Sequence, residues 1–352
     1  MVNNKQKNNF YAQGGRARFL RFAALGLLTL TAFLVCVAVG SVSIPLSATA
    51  EILYKALTGQ TLVSGTEATI ILTVRLPRVL SVFLVGASLS LCGAAMQGLL
   101  RNPLADGATL GVSSGASLGA MLAIFFGITL PGLPLAGTAV LSIVFAFFSL
   151  LLVLSLAFAL DRSLETSTII LIGVIFTMFS GALMSLLITF AGTHLRSLTF
   201  WMLGSLAGSS YQEAFFLLAV LLTCGALLFM HSSELDAFAI GEDNAANIGV
   251  SVRRVKLTVM VLVSVLIGIC VAIGGSIGFV GLIIPHITRA LTGPAHKKLL
   301  PFSMLIGGVF LMLCDLLART LLSPVELPLG VVTSLIGAVF FVVILMKRRM
   351  TA

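Results

Sequence analysis

Apolar runs close to 20 residues long recur from one end of this chain to the other, and each is long enough to cross a bilayer as a helix. The runs are apolar all round, whereas the helices of a soluble core keep a polar outer face. Of the 352 residues 59% are hydrophobic and only 9% charged, against about 25% charged in an ordinary soluble domain. These constraints predict an all-α polytopic membrane protein with about ten transmembrane helices, in the cell membrane as a multi-pass protein. The expected spans are 20–43, 76–98, 108–127, 137–160, 168–190, 213–231, 256–275, 277–292, 300–321 and 328–346. The third and eighth are short or glycine-rich and are expected to be partial or broken. An amphiphilic piece near 196–208 holds the sole tryptophan, Trp201, and reads as a re-entrant or interfacial helix.

Charge orients these spans. Lys55, Arg75, Arg78, Arg196 and Arg319 fall on one side, and the other sixteen of the 21 Lys and Arg residues fall on the opposite side. The rich side is expected in the cytoplasm, together with both termini. The domain reading is a basic cytoplasmic N-terminal segment (1–19), one transmembrane domain (20–346) that includes the cytoplasmic segment 232–255, and a basic cytoplasmic tail (347–352). The run from Phe22 to about Ile44 exceeds a signal-peptide core, so Ala48-Thr49-Ala50 is expected not to be a cleavage site. The net charge of +9 does not indicate nucleic acid, because the basic residues sit in short clusters between apolar runs. Five cysteines (Cys36, Cys92, Cys224, Cys270, Cys314) lie in apolar stretches without ligand spacing and read as packing residues. The twelve methionines are scattered and read the same way. Two passages, 85–106 and 273–293, look loosely alike, which fits either an internal repeat or shared composition.

No G-x-x-x-x-G-K-[ST] loop occurs, so ATP hydrolysis by this chain alone is not expected, and H-E-x-x-H is absent too. No residue is assigned a catalytic or metal-binding role. Asp315 precedes Arg319 by four residues, so the two share a helix face and are expected to pair. Residues 232–255 form the longest polar passage between spans and read as two short helices broken at Gly241. Leu235, Phe238, Ala239 and Ile240 make one apolar patch there, and Ala245, Ala246, Ile248 and Val250 another. Docking of a partner is favoured over packing back onto the spans. Arg75 and Arg78 bracket Pro77, as in the first turn of a helix. Cations there oppose the helix dipole, so lipid headgroups or an acidic soluble partner are expected to meet them. His286, alone at a span end, reads as a structural hydrogen-bonder.

Four passages in order, "RLPRVLSVFLVGASLSLCGAAMQGLLRNPLADGATLGVSSGASLGA", "GEDNAANIGV", "GFVGLIIPHITRALTG" and "ELPLGVVTSLIGAVFF", resemble the FecCD-type permeases. These are the membrane subunits of importers for ferric siderophores, haem and cobalamin. The resemblance implies a second permease copy or a sister permease, two cytoplasmic ATP-binding-cassette ATPases and an extracytoplasmic substrate-binding protein. No cofactor belongs to this chain, since ATP and Mg would sit on the ATPase subunits. Gly241, Glu242, Ala245, Ala246, Asn247, Ile248, Gly249 and Val250 would belong to coupling helices that press on the ATPase. Arg75, Arg78 and Arg319 would meet glutamates of the binding protein, and Thr166 and Ser167 would sit at a cytoplasmic gate. The turns holding Arg101, Asn102 and Pro103, and Pro285 and His286, would lie at the cytoplasmic side. Ferric siderophore is the first-ranked cargo, with haem and cobalamin behind. A bare-metal pore would need oxygen or imidazole ligands that the spans lack. A secondary carrier relying on Asp315 and a polytopic membrane enzyme are the rivals.

Overall fold

The computed structural model describes residues 22–60, 65–107, 109–128, 136–162 and 165–350, with the side chains of 136, 344, 345 and 347–350 left aside. Among them every regular element is helical, and each of the ten expected spans falls on a helix. Six helices are long and apolar enough to cross a membrane: α3 (Thr66–Leu99), α5 (Gly137–Leu160 of a helix starting at Ala136), α6 (Thr166–Thr189), α8 (Tyr211–Met230), α11 (Val252–Gly274) and α13 (His296–Thr320). Shorter apolar helices are α1 (Phe22–Ala38), α4 (Val112–Phe125), α12 (Val280–Thr292) and α14 (Leu329–Met350, apolar to Val343). The remainder are α2 (Leu46–Thr58), α7 (Leu195–Met202), α9 (Ser232–Phe238) and α10 (Glu242–Asn247). The expected segments 1–19 and 351–352 lie outside the described residues, as do parts of the 61–64, 129–135 and 163–164 connections.

Helix α3 is the centre: 83% of its most apolar window is buried, against 28% for α5 and for α6. It packs against α8, α11, α12 and α13, and α4 with α5 and α6 completes the bundle. Close approach to α3 depends on glycine pairs. A Cβ on Gly86 would run into the carbonyl oxygen of Gly307 in α13, and one on Gly93 into that of Gly281 in α12. Small residues let the backbones meet where lipid-like surroundings give no hydrophobic drive for association.

Two element boundaries differ from the sequence expectation. The second span starts ten residues early, because α3 runs through Pro77 instead of beginning there. Residues Ile70–Arg75 form a π-helical turn in which the Leu76 amide donates to the Ile71 carbonyl five residues back. The widened turn just ahead of Pro77 accommodates the proline ring and its missing N–H without breaking the helix. The "IPHITR" stretch is no turn either: Pro285 and His286 lie inside α12. The two look-alike passages also diverge, since 85–99 is unbroken helix whereas 275–279 is not helical.

The amphiphilic piece is a short helix, with Gly192–His194 in 3-10 form leading into α7. After Gly204, where φ is +72°, the chain leaves helix, and its backbone finds partners elsewhere. Ser205 donates to the Gly274 carbonyl (3.0 Å), Leu329 to that of Gly204 (3.0 Å) and Gly330 to that of Leu203 (3.1 Å). This junction ties together the ends of α7, α11 and α14. Glu213, at the start of α8, forms a reciprocal capping box with Ser210.

Candidate functional site

The bundle has two ends with distinct polar chemistry. One carries α9 and α10, broken at Gly241 (φ +112°) as the sequence predicts. The two apolar patches divide between inside and outside. Leu235, Phe238 and Ala245 are fully buried and anchor the segment. Ala239, Ile240, Ala246, Asn247, Ile248 and Gly249 are exposed, and Val250 is half-buried. Ile240 and Ile248 are 57% and 65% exposed, so two large aliphatic side chains stand out from one polar segment.

Ionic contacts fasten this segment to the spans. In α10, Glu242 pairs with the Nζ of Lys256 in α11 at 2.7 Å and accepts a hydrogen bond from Thr166 Oγ1 at 3.2 Å. Lys256 is only 2% exposed, so salt screens this pair less than it screens a fully exposed one. Thr166 is the first residue of α6, and the adjacent Ser167 is exposed. In α9, Asp236 accepts from the backbone N–H of His296 (2.9 Å) and contacts its Nδ1 (2.6 Å) at the start of α13. A carboxylate at that position also suits the helix dipole. The Arg101–Asp106 turn follows α3 at the same end; Asn102 Oδ1 accepts the Leu104 N–H at 2.9 Å, and Pro103 is exposed. Arg101 adopts φ +49°, and a Cβ on Gly241 would lie 3.9 Å from its Nη1.

Gln97, which sequence reasoning missed, belongs to this end. Pro285 has no N–H for the Gly281 carbonyl, which a regular helix would leave unpaired. The amide nitrogen of Gln97 donates to the Gly281 and Leu282 carbonyls, both at 3.1 Å, and its oxygen accepts from Arg289 Nη1. The available signal was an amide side chain in an otherwise apolar helix, opposite a helix with an internal proline.

The opposite end holds the three arginines, and here the structure corrects the expectation of exposed cations. Arg75, Arg78 and Arg319 are 4%, 6% and 3% exposed. Arg75 donates to the carbonyls of Val37, Ala38 and Val42, closing the C-terminal end of α1. Arg78 binds Asp315 (Nη2–Oδ1 2.9 Å) and Glu326 (Nη1–Oε2 2.9 Å). Arg319 lies 3.3 Å from Asp315 through its Nε, the expected pair one turn apart, and donates to the Cys36 carbonyl. Asp315 is thus an acid between two guanidiniums, not an isolated one. Glu326, 36% exposed at its side chain, is the outward member of the cluster.

Elsewhere, G-x-S-x-G occurs at 111–115, 115–119 and 274–278. Among the described residues none follows a strand, so none makes the strained strand-to-helix turn that exposes a nucleophile.

A helical bundle with six long apolar helices and no strand among its described residues is the architecture of a multi-pass membrane protein. The FecCD transport family signature matches residues 28–347, and the chain belongs to that family. It is 41% identical to the uncharacterized ABC transporter permease protein YvrB of Bacillus subtilis, over 97% of this chain and 96% of that one. It is 38% identical to the cobalamin import system permease protein BtuC of Halobacterium salinarum (82% and 77% covered). The molybdate import system permease protein MolB of Haemophilus influenzae is also 38% identical (92% and 94%). Among solved structures, one described as an inward-facing ABC transporter of metal-chelate type superposes with a TM-score of 0.80 at 36% identity, covering 92% of this chain and 98% of that one.

Proposed function

We propose that this chain is the permease subunit of an ATP-binding-cassette importer that carries a bulky metal chelate into the cytoplasm, with ferric siderophore the first-ranked cargo and haem or cobalamin behind. The observation that carries the reading is the α9–α10 segment. It presents Ile240 and Ile248 outward while Glu242 ties it to Thr166 at the head of α6 and to Lys256 of α11. Exposed aliphatic side chains on an anchored polar segment suit an ATPase docking surface. Motion imposed there by two ATPases would reach the spans through those contacts, alternating access between the two sides. The orientation is the one the basic residues favour: about ten crossings, both termini and the α9–α10 end in the cytoplasm.

Docking of an extracytoplasmic binding protein belongs at the arginine end. Since Arg78 is engaged with Glu326, a partner carboxylate would displace Glu326 instead of meeting a free cation. A second permease copy or a sister permease would complete the pathway.

The test is reconstitution in vesicles with the ATPase and binding protein encoded alongside this chain, scoring uptake of ferrichrome, haemin, cyanocobalamin and molybdate. ATP-dependent uptake of ferrichrome is expected. Uptake that persists without the ATPase would refute the importer reading in favour of a secondary carrier, and uptake of another probe alone would replace the cargo.

A further inference from the structure

Helix α11 is mostly buried, and its exposed residues, Arg253, Arg254 and Val261, lie toward one side. Arg253, Leu257, Val261 and Val265 are spaced by four, so they line a single face. Arg253 and Arg254 are exposed, Leu257 is half-buried and Val261 is 41% exposed. Ser251, Val252, Arg253, Arg254, Leu257 and Thr258 line a shallow, widely open cleft of about 590 Å³. Phe158, near the end of α5, meets the cleft through Arg253, whose guanidinium carbon lies 5.4 Å from the ring centroid. No carboxylate among the described residues pairs with either arginine.

We infer that this cleft is a binding site for an acidic phospholipid of the cytoplasmic leaflet, its phosphate held by Arg253 and Arg254 and an acyl chain laid along Leu257, Val261 and Phe158. The order of the chemistry selects the occupant. Two cations stand at the mouth, and an apolar track runs from them along the helix face, matching a charged headgroup continued by a hydrocarbon chain. An acidic side chain of a partner protein would satisfy the arginines but leave the track uncovered. Arg253 resting on Phe158 places one guanidinium at the boundary between the two zones, the geometry of a side chain at a membrane interface. The leaflet assignment rests on the orientation proposed above; the chemistry of the cleft does not.

The permease purified in detergent is titrated with phosphatidylglycerol or phosphatidylcholine, and retained lipid is measured by native mass spectrometry. Each basic residue near an anionic headgroup contributes about 1 kcal/mol, so the two arginines together should give a preference for phosphatidylglycerol of about 30-fold. Arg253→Gln/Arg254→Gln should abolish the preference without changing the thermal midpoint in phosphatidylcholine, and the double Lys variant should keep it. An unchanged preference in the double Gln variant would overturn the site. Full competition by glycerol 1-phosphate would show a soluble-anion site and no lipid, and a defect confined to ATPase association would assign the arginines to a protein partner; either result refutes the proposal. Labelling of Asn247→Cys from outside intact cells would sink the orientation alone, leaving the detergent result to stand by itself.

Discussion

Taking the charge from Asp315 would leave Arg78 and Arg319 facing each other in a site where both are almost wholly buried. Breaking a buried ion pair by removing one partner costs about 3–5 kcal/mol, because the remaining charge is stranded. Asp315→Asn is therefore expected to lower the thermal unfolding midpoint in detergent strongly. Glu326→Gln, at the exposed rim, should cost under about 1 kcal/mol and should strengthen binding-protein association by removing the carboxylate that competes for Arg78 Nη1. An unchanged midpoint for Asp315→Asn would show that the cluster does not bear on stability. The Asp315–Arg319 half of this cluster was legible in the sequence because a four-residue spacing fixes a shared helix face. The Arg78–Asp315 and Arg78–Glu326 pairs join residues more than two hundred positions apart, and no local pattern encodes them. All five basic residues that depart from the charge bias find partners within the chain: Lys55 pairs with Glu51, Arg196 lies over Phe200, Arg75 closes the end of α1, and Arg78 and Arg319 share Asp315. Their sequence positions raised the right question, but the answer lay inside the fold.

At the scale of elements, Glu242 is where α10 holds α6 and α11 together. Glu242→Gln and Lys256→Gln should each leave ATP hydrolysis by the assembled complex intact while lowering uptake per ATP several-fold. The exchange Glu242→Lys/Lys256→Glu should recover part of the loss. A coupling ratio unchanged in both single variants would make the pair a mere packing contact. Gly241 and Gly249 sit at φ +112° and +94°, conformations that strain any β-branched side chain. Gly241→Val and Gly249→Val should therefore uncouple in the same assay with little effect on the midpoint, because both positions lie outside the bundle core. Helix existence was readable from hydropathy, and the break at Gly241 from glycine among polar residues. Boundaries were harder where proline is involved. Pro77 signals a start and Pro285 an interruption, yet the π-helical turn before the one and the Gln97 side chain opposite the other let both helices run through. Helix α2 gave no comparable signal, because a 13-residue amphipathic segment at an expected loop carries no long apolar run.

For the whole molecule, the two ends should respond differently to ionic strength. The α9–α10 end offers aliphatic contact through Ile240 and Ile248, whereas the opposite end offers carboxylate and guanidinium groups. Hydrophobic association is not screened by salt, while exposed charge pairs weaken beyond a Debye length of about 8 Å at physiological ionic strength. Ile240→Glu/Ile248→Glu should prevent co-purification of the ATPase at both low and high salt, with the permease still folded and monodisperse. Binding-protein association at the other end should fall as salt rises and should be unaffected by that substitution. If instead the Ile variant kept its ATPase and high salt removed it, the exposed aliphatic residues would not be the docking contact. The charged residues of the same segment would then carry the contact, and Asp243, exposed in the first turn of α10, would be the first to replace.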